Sequence, residues 1–206
     1  MVVPIPDDVN AVAQSPTYIW KLKYDFNYEG ESLQEHCGKL MEHTDEHWGT
    51  GSALETGASF STVHNQEQAP HHWEINEDFL IWLQAKIHPI WLNWGYAACM
   101  PVPTRSWVNV HKRSGRTMEH YHNNTPLVAS CYLKVPQGSG HFEYRDPLEY
   151  HRWGTPGEPQ IDLWNEVPVE TGDILIFPGW LKHRTQVNQV DEDRVCMTIN
   201  YGCADY

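Results

Sequence analysis

The 206-residue chain has no arginine before position 105, no C-x-x-C pair, no run of eighteen apolar residues and no internal repeat or low-complexity segment. Without a long apolar run, no helix can span a bilayer. The start, MVVPIPDDVN, has neither a basic stretch nor an apolar one, so a secretory leader is not expected. Positive charge is scarce: 14 Lys and Arg stand against 27 Asp and Glu, a net charge of −13. Residues 1–103 hold 4 of the basic residues and 14 of the acidic ones. A surface for nucleic-acid phosphates needs the opposite balance, so neither nucleic acid nor membrane is expected as a partner. Five cysteines, an odd number without paired spacing, read as reduced thiols in a cytoplasmic protein. Hydrophobic residues at 40% and charged residues at 20% describe a globular chain with a real core, and 1–206 reads as one domain.

What is present divides the chain in two. Residues 1–103 form a support region. Thr17–Tyr24 alternates as a strand, and Glu31 to Trp48 carries Leu33, Cys37, Leu40 and Met41 at helical spacing. Ala58–His64 suits a short strand. Ile75 to Trp94 places Phe79, Leu80, Leu83, Ile87 and Trp91 on a helical stripe, with Pro89 expected to kink or break it. Residues 104–206 turn to short strand-like runs at Ser106–Lys112, Thr117–His122, Leu127–Val135, His141–Arg145, Asp173–Phe177, His183–Val187 and Arg194–Tyr201. Gly, Pro and Asn punctuate them, as in a β-barrel or sandwich. An aromatic, proline-rich insertion, 146–168, interrupts the series and suits a functional loop or lid. The reading is mainly β, a barrel core buttressed by N-terminal helices.

Thirteen histidines make a metal worth seeking. In a strand, residues two apart share a face, so His120 and His122 would point together with Cα atoms roughly 6.6 Å apart. His183 follows a hydrophobic strand and a Pro178-Gly179 turn, and as a distant third ligand it would close a facial set with open positions opposite. Eleven residues on, Arg194 opens RVCMTINY, where alternation gives Arg194, Cys196, Thr198 and Asn200 one face. A guanidinium on an inward face wants an anion, and a carboxylate fits its fork. The plainer alternative is a structural pair with Asp191 or Asp193.

Together these pieces resemble the Fe(II)/2-oxoglutarate-dependent oxygenases, and more closely the 2-oxoglutarate–Fe(II) oxygenase family of bacteria and phages that carries H-x-H. The shared pattern is Trp107-Val108-Asn109, His120-Tyr121-His122, Tyr132-Leu133, Ser139-Gly140 to Asp146-Pro147, Phe177-Pro178 to His183, and Arg194 to Asn200. The resemblance covers about 105–201 and implies a double-stranded β-helix, jelly-roll or cupin-like. It implies Fe(II) on His120, His122 and His183, 2-oxoglutarate as cosubstrate, O2, and ascorbate as a stimulant. Arg194 would grip the cosubstrate's distal carboxylate, with Tyr132 and Thr198 assisting, and Asn109 would reach its inner end. The implied reaction hydroxylates a peptide, an amino acid or a small metabolite, releasing succinate and CO2. Two positions depart from the superfamily: His122 stands where Asp or Glu is usual, and Cys196 where Ser is frequent. Glu119 faces away by alternation; Glu143 and Asp146 are the carboxylates that could approach instead.

Two alternatives remain open: a three-histidine cupin dioxygenase without 2-oxoglutarate, and a non-catalytic ligand-binding barrel. His43-Thr44-Asp45-Glu46-His47 matches H-x-x-E-H formally but lacks a third ligand at suitable spacing. His71, His72, His141 and His151 suit surface, capping or packing roles, and His111 suits core packing.

Overall fold

The structure is a computed structural model and describes residues 18–28, 31–32, 55–56, 58–64, 66–95, 99–147 and 164–204. The strands are β1 (Trp20–Lys23), β2 (Asn27–Tyr28), β3 (Glu31–Ser32), β4 (Glu55–Thr56), β5 (Ser59–Ser61), β6 (Pro101–His111), β7 (Arg116–Thr117), β8 (Leu127–Lys134), β9 (Phe142–Arg145), β10 (Trp164–Val167), β11 (Asp173–Pro178), β12 (His183–Thr185) and β13 (Arg194–Cys203). One α-helix, α1 (Glu77–Asn93), occurs among the described residues, preceded by three short 3-10 turns.

An antiparallel sheet of six strands, in the order β1-β11-β8-β13-β6-β5, forms the main layer. A three-stranded sheet, β10-β9-β12, faces it. The alternation of β13 sorts its residues between two cores. Val195, Met197, Ile199 and Tyr201 pack outward with Phe79, Leu83, Ile87 and Trp91 of α1. Cys196 turns inward with Val128, Tyr132, Phe142, Leu175 and Phe177. The four α1 residues are fully buried, and each contributes about 1.5–3 kcal/mol by leaving water.

Several expectations need correction. Pro89 does not end α1: the helix runs to Asn93. Pro89 and Ala85, the residue that loses its hydrogen-bond donor, both lie on the exposed side, where water can take the carbonyl. Thr117–His122 is not a continuous strand. Only Arg116–Thr117 is β7, and His120 makes an isolated bridge to His183. The 146–168 segment is not all loop, because Trp164–Val167 pairs with β9. Of the Glu31–Trp48 helix, Glu31–Ser32 pairs with β2 instead. Residues 33–48, with Cys37 and the H-x-x-E-H motif, lie outside the described residues, as does 148–163, with His151.

The thiols are not all reduced, since Cys99 and Cys203 form a disulfide. The β6–β13 register pairs Cys203 with Pro101 and so brings Cys99 beside it, with Cα atoms 5.6 Å apart. Spacing along the chain carries no trace of that proximity, and the cysteine argument for a cytoplasmic location falls with it. Cys131 and Cys196 are buried and take no part in the disulfide. No helix among the described residues is long and apolar enough to cross a membrane.

Candidate active site

His120, His122 and His183 converge, with one ring nitrogen from each lying within 4.8 Å of the others. The backbone sets this up. His120 and His183 exchange N–H···O bonds of 3.0 and 2.9 Å, and the His122 N–H donates to the Gly179 carbonyl at 2.8 Å. The H-x-H pair therefore hooks onto the turn between β11 and β12. Gly179 is required there, because a methyl group on it would run into the Thr125 carbonyl.

Each imidazole is oriented from behind. His120 Nδ1 lies 2.8 Å from the Met118 carbonyl, and His183 Nδ1 2.8 Å from the Leu181 carbonyl. A carbonyl only accepts, so both Nδ1 atoms carry the proton and both Nε2 atoms present lone pairs. His122 Nδ1 donates to Asn200 Oδ1 at 2.8 Å, while Asn200 Nδ2 donates to Thr125 Oγ1 at 3.2 Å. His122 and His183 then face each other, Nε2 to Nε2, at 3.3 Å. Two imidazoles at right angles on an ion with bonds of roughly 2.1 Å stand ~3 Å apart, so the pair is spaced for one cation. Trp107 stacks on His122, and Phe142 on His183.

Burial, with the neighbouring His120, lowers the His122 pKa to about 3. Burial, with His120 and His122 beside it, lowers His183 well below the ordinary imidazole value. Both rings are neutral at pH 7, the state in which an imidazole can take a metal ion. No carboxylate joins the cluster among the described residues. Glu143 lies 2.6 Å from Arg184, and Glu119 3.1 Å from Arg145.

The inward rows of the main sheet follow from the register. Cys196 of β13 lies between Asn109 and Tyr132, Thr198 between Trp107 and Ser130, and Asn200 between Arg105 and Val128. Arg194, at the far end of β13, is 1% exposed. It donates to the carbonyls of Ser139 at 2.7 Å and Gln186 at 3.0 Å, and lies 3.2 Å from His111 Nδ1. Asp191 instead meets Arg113 at the surface. His111 also bonds Thr117 Oγ1, a role in the core and not at the cation. Burial raises the Tyr132 pKa well above its ordinary value, so the side chain stays a phenol and a donor.

A cleft of about 400 Å³ opens onto His120, His122, Trp107, Asn109 and Asn200. Arg194, Tyr132 and Thr198 lie on the same inward face of the sheet but outside this cleft. Asn109 Oδ1 is buried without a hydrogen-bond partner among the described residues. Three convergent nitrogen donors and this orphaned amide oxygen fit an ion that brings further ligands with it. Asn200, which holds His122, entered the sequence reading as an inward residue of its strand and as the last letter of the shared pattern, with no role assigned to its side chain.

Residues 105–200 match the model of the family described as "Putative 2OG-Fe(II) oxygenase". No curated protein matches the chain. Among solved structures, HygX from Streptomyces hygroscopicus with nickel, 2-oxoglutarate and hygromycin B bound is 14% identical; the match covers 92% of this chain and 84% of that one, with a TM-score of 0.55. A prolyl-4-hydroxylase from Pseudomonas putida is 10% identical over 82% of this chain and 83% of its own, with a TM-score of 0.56. An oxidoreductase of the 2OG-Fe(II) oxygenase family from Burkholderia pseudomallei is 11% identical over 57% of this chain, with a TM-score of 0.43, and this chain spans 52% of its length. At these identities the likeness is one of fold, the double-stranded β-helix.

Proposed function

We propose that the chain, which matches the 2OG-Fe(II) oxygenase family model over residues 105–200, is such an oxygenase and hydroxylates a small molecule, an amino acid or a peptide, releasing succinate and CO2. The convergence of three Nε2 lone pairs at the base of an open cleft carries the reading. His120, His122 and His183 hold Fe(II). When bound, Fe(II) with 2-oxoglutarate and O2 supplies the oxidising power, and one oxygen atom passes to the substrate.

The chain's own residues bind and orient. Arg194 is the clamp for the distal carboxylate: it is buried on the inward face, and the Ser139 and Gln186 carbonyls fix its guanidinium. The Tyr132 phenol and the Thr198 hydroxyl, on the inward face of neighbouring strands, assist it. Asn109 serves the inner end of the cosubstrate. Phe142, Phe177, Leu175 and Val128 line the inner core and keep water from that end.

The test is to add Fe(II) without oxygen, then 2-oxoglutarate, and look for a weak visible charge-transfer band. Admitting O2 with ascorbate should then yield succinate. Arg194→Ala should keep the metal and lose 2-oxoglutarate affinity. Metal uptake with neither band nor succinate would favour the cupin-type dioxygenase, which has no use for the keto acid. Loss of metal and fold together in Arg194→Ala would remove the clamp role.

A further inference from the structure

We infer that the substrate of this site is a small anion, and that Arg105 anchors its carboxylate or equivalent acidic group; the inference rests on the oxygenase reading of the same cleft. The chain carries a net charge of −13, yet no Asp or Glu among the described residues lines the cleft. Among the described residues its one charged side chain is Arg105. Hydroxyls and amides make up most of the remaining wall, among them Ser61, Thr104, Asn123 and Asn124. Such groups can donate to an oxyanion or exchange hydrogen bonds with a hydroxyl, and none of them supplies the negative charge that would favour a cation beside Arg105, so a basic peptide is the wrong charge for this cleft.

Arg105 is placed for the task. It sits on β6 two residues before Trp107, so both point to the inward face. Its partner across the ladder is Asn200, the residue that holds His122. An anion seated on Arg105 therefore lies beside the His122 edge of the cation site. The guanidinium is exposed, and one nitrogen donates to the Val63 carbonyl at 3.1 Å, which fixes the fork while leaving other N–H groups for a ligand. Arg105 has no carboxylate partner among the described residues. Arg194 is a different kind of group, enclosed by protein carbonyls at the far end of β13. The half-exposed ring of Tyr121 at the cleft wall and the indole of Trp107 give the body of the substrate an apolar surface.

The test uses benzoate and benzamide, which share shape and differ in charge. Binding of each to the oxygen-free protein loaded with Fe(II) and 2-oxoglutarate is followed by ligand-observed NMR, with the charge-transfer band reporting the cosubstrate. Benzoate should bind about tenfold more tightly than benzamide, the worth of one partly solvated charge-assisted contact. Arg105→Gln should abolish that preference, Arg105→Lys should keep part of it, and both should bind 2-oxoglutarate as the wild type does. Equal binding of the two probes, or no binding of either, overturns the proposal. A weakened charge-transfer titration in Arg105→Gln also overturns it, since Arg105 would then serve the cosubstrate. Absence of the band in the wild-type protein is a separate result and counts against the oxygenase reading instead.

Discussion

Asn200 holds His122: its side-chain oxygen accepts the ring's Nδ1 proton at 2.8 Å, while its amide nitrogen is pinned to Thr125 at 3.2 Å. The tautomer of His122 is thus set from β13, the strand that also carries Arg194. Replacing Asn200 by Ala frees the ring to turn and to carry its proton on the other nitrogen. Metal affinity should fall about 10- to 100-fold, as when such supporting partners are removed elsewhere, with the thermal transition of the metal-free protein little changed. Asn200→Asp keeps an acceptor and should retain most of the affinity. A Co(II) titration of the three proteins checks this; equal affinity in Asn200→Ala would mean that the backbone alone positions His122.

Gly140 stands behind the other end of the site. Its φ is +84°, and a methyl group there would lie 2.7 Å from Gln186 Cβ and 3.2 Å from an Arg194 guanidinium nitrogen. Gly140→Ala therefore meets both a strained backbone and a crowded guanidinium. The expected outcome is at least a tenfold loss of 2-oxoglutarate affinity with metal affinity retained, read from the charge-transfer titration. Unchanged cosubstrate binding would show that the guanidinium does not need its present position.

Much of this arrangement was legible in the chain because alternation is a local property. The sorting of β13 into Arg194, Cys196, Thr198 and Asn200 inward and Val195, Met197, Ile199 and Tyr201 outward follows from period two, and the α1 stripe follows from period 3.6. The geometry of His120 and His122 was not legible in the same way. Their rings do converge, but through a bridge to His183 and a bond to Gly179, not through a strand of their own. The role of Asn200, the cleft position of Arg105 and the Cys99–Cys203 pair depend on which strands lie side by side, and no local pattern records that. The H-x-H spacing gave the right neighbours by an argument that holds only for extended chain.

Asp173 fastens β11 to β1. Its carboxylate is buried, lies 2.9 Å from Lys21 and 3.2 Å from Lys23, and accepts the Glu170 N–H at 2.6 Å. Burial alone would raise its pKa, but the bonds from Lys21, the Glu170 N–H and Lys23 hold it below the ordinary 3.8. A carboxyl depressed in the folded state stabilises above its unfolded pKa, and that contribution fades as pH falls through the folded value. Asp173→Asn should therefore cost about 1–2 kcal/mol at pH 7, a figure kept low because both lysines are half exposed. The difference from wild type should begin to shrink near pH 4 and narrow further below it. Urea unfolding at pH 7, 5 and 3 checks the slope; a difference that grows toward acid would contradict the sign.

The Cys99–Cys203 disulfide closes a loop with a sequence separation of 104, and the Cys99 carbonyl accepts the Trp91 indole N–H at 3.0 Å, so one link ties the end of α1, the start of β6 and the end of β13. Closing so long a loop restricts the unfolded chain, an effect worth about 2–4 kcal/mol in typical proteins. The Cys99→Ser/Cys203→Ser double variant should lose stability of that order, and dithiothreitol should lower the wild-type transition but not that of the variant. Cobalt affinity should stay within about twofold of wild type, a free-energy change of roughly 0.4 kcal/mol or less. The reason lies on β13 itself. Asn200 is paired on both sides, with Arg105 and with Val128; on the β6 side, where Cys99 precedes the strand, a break in register separates it from Tyr201, so loosening at Cys203 stops before the residue that holds His122. A parallel loss of metal affinity and stability would mean instead that the end of β13 frays as a unit through Asn200.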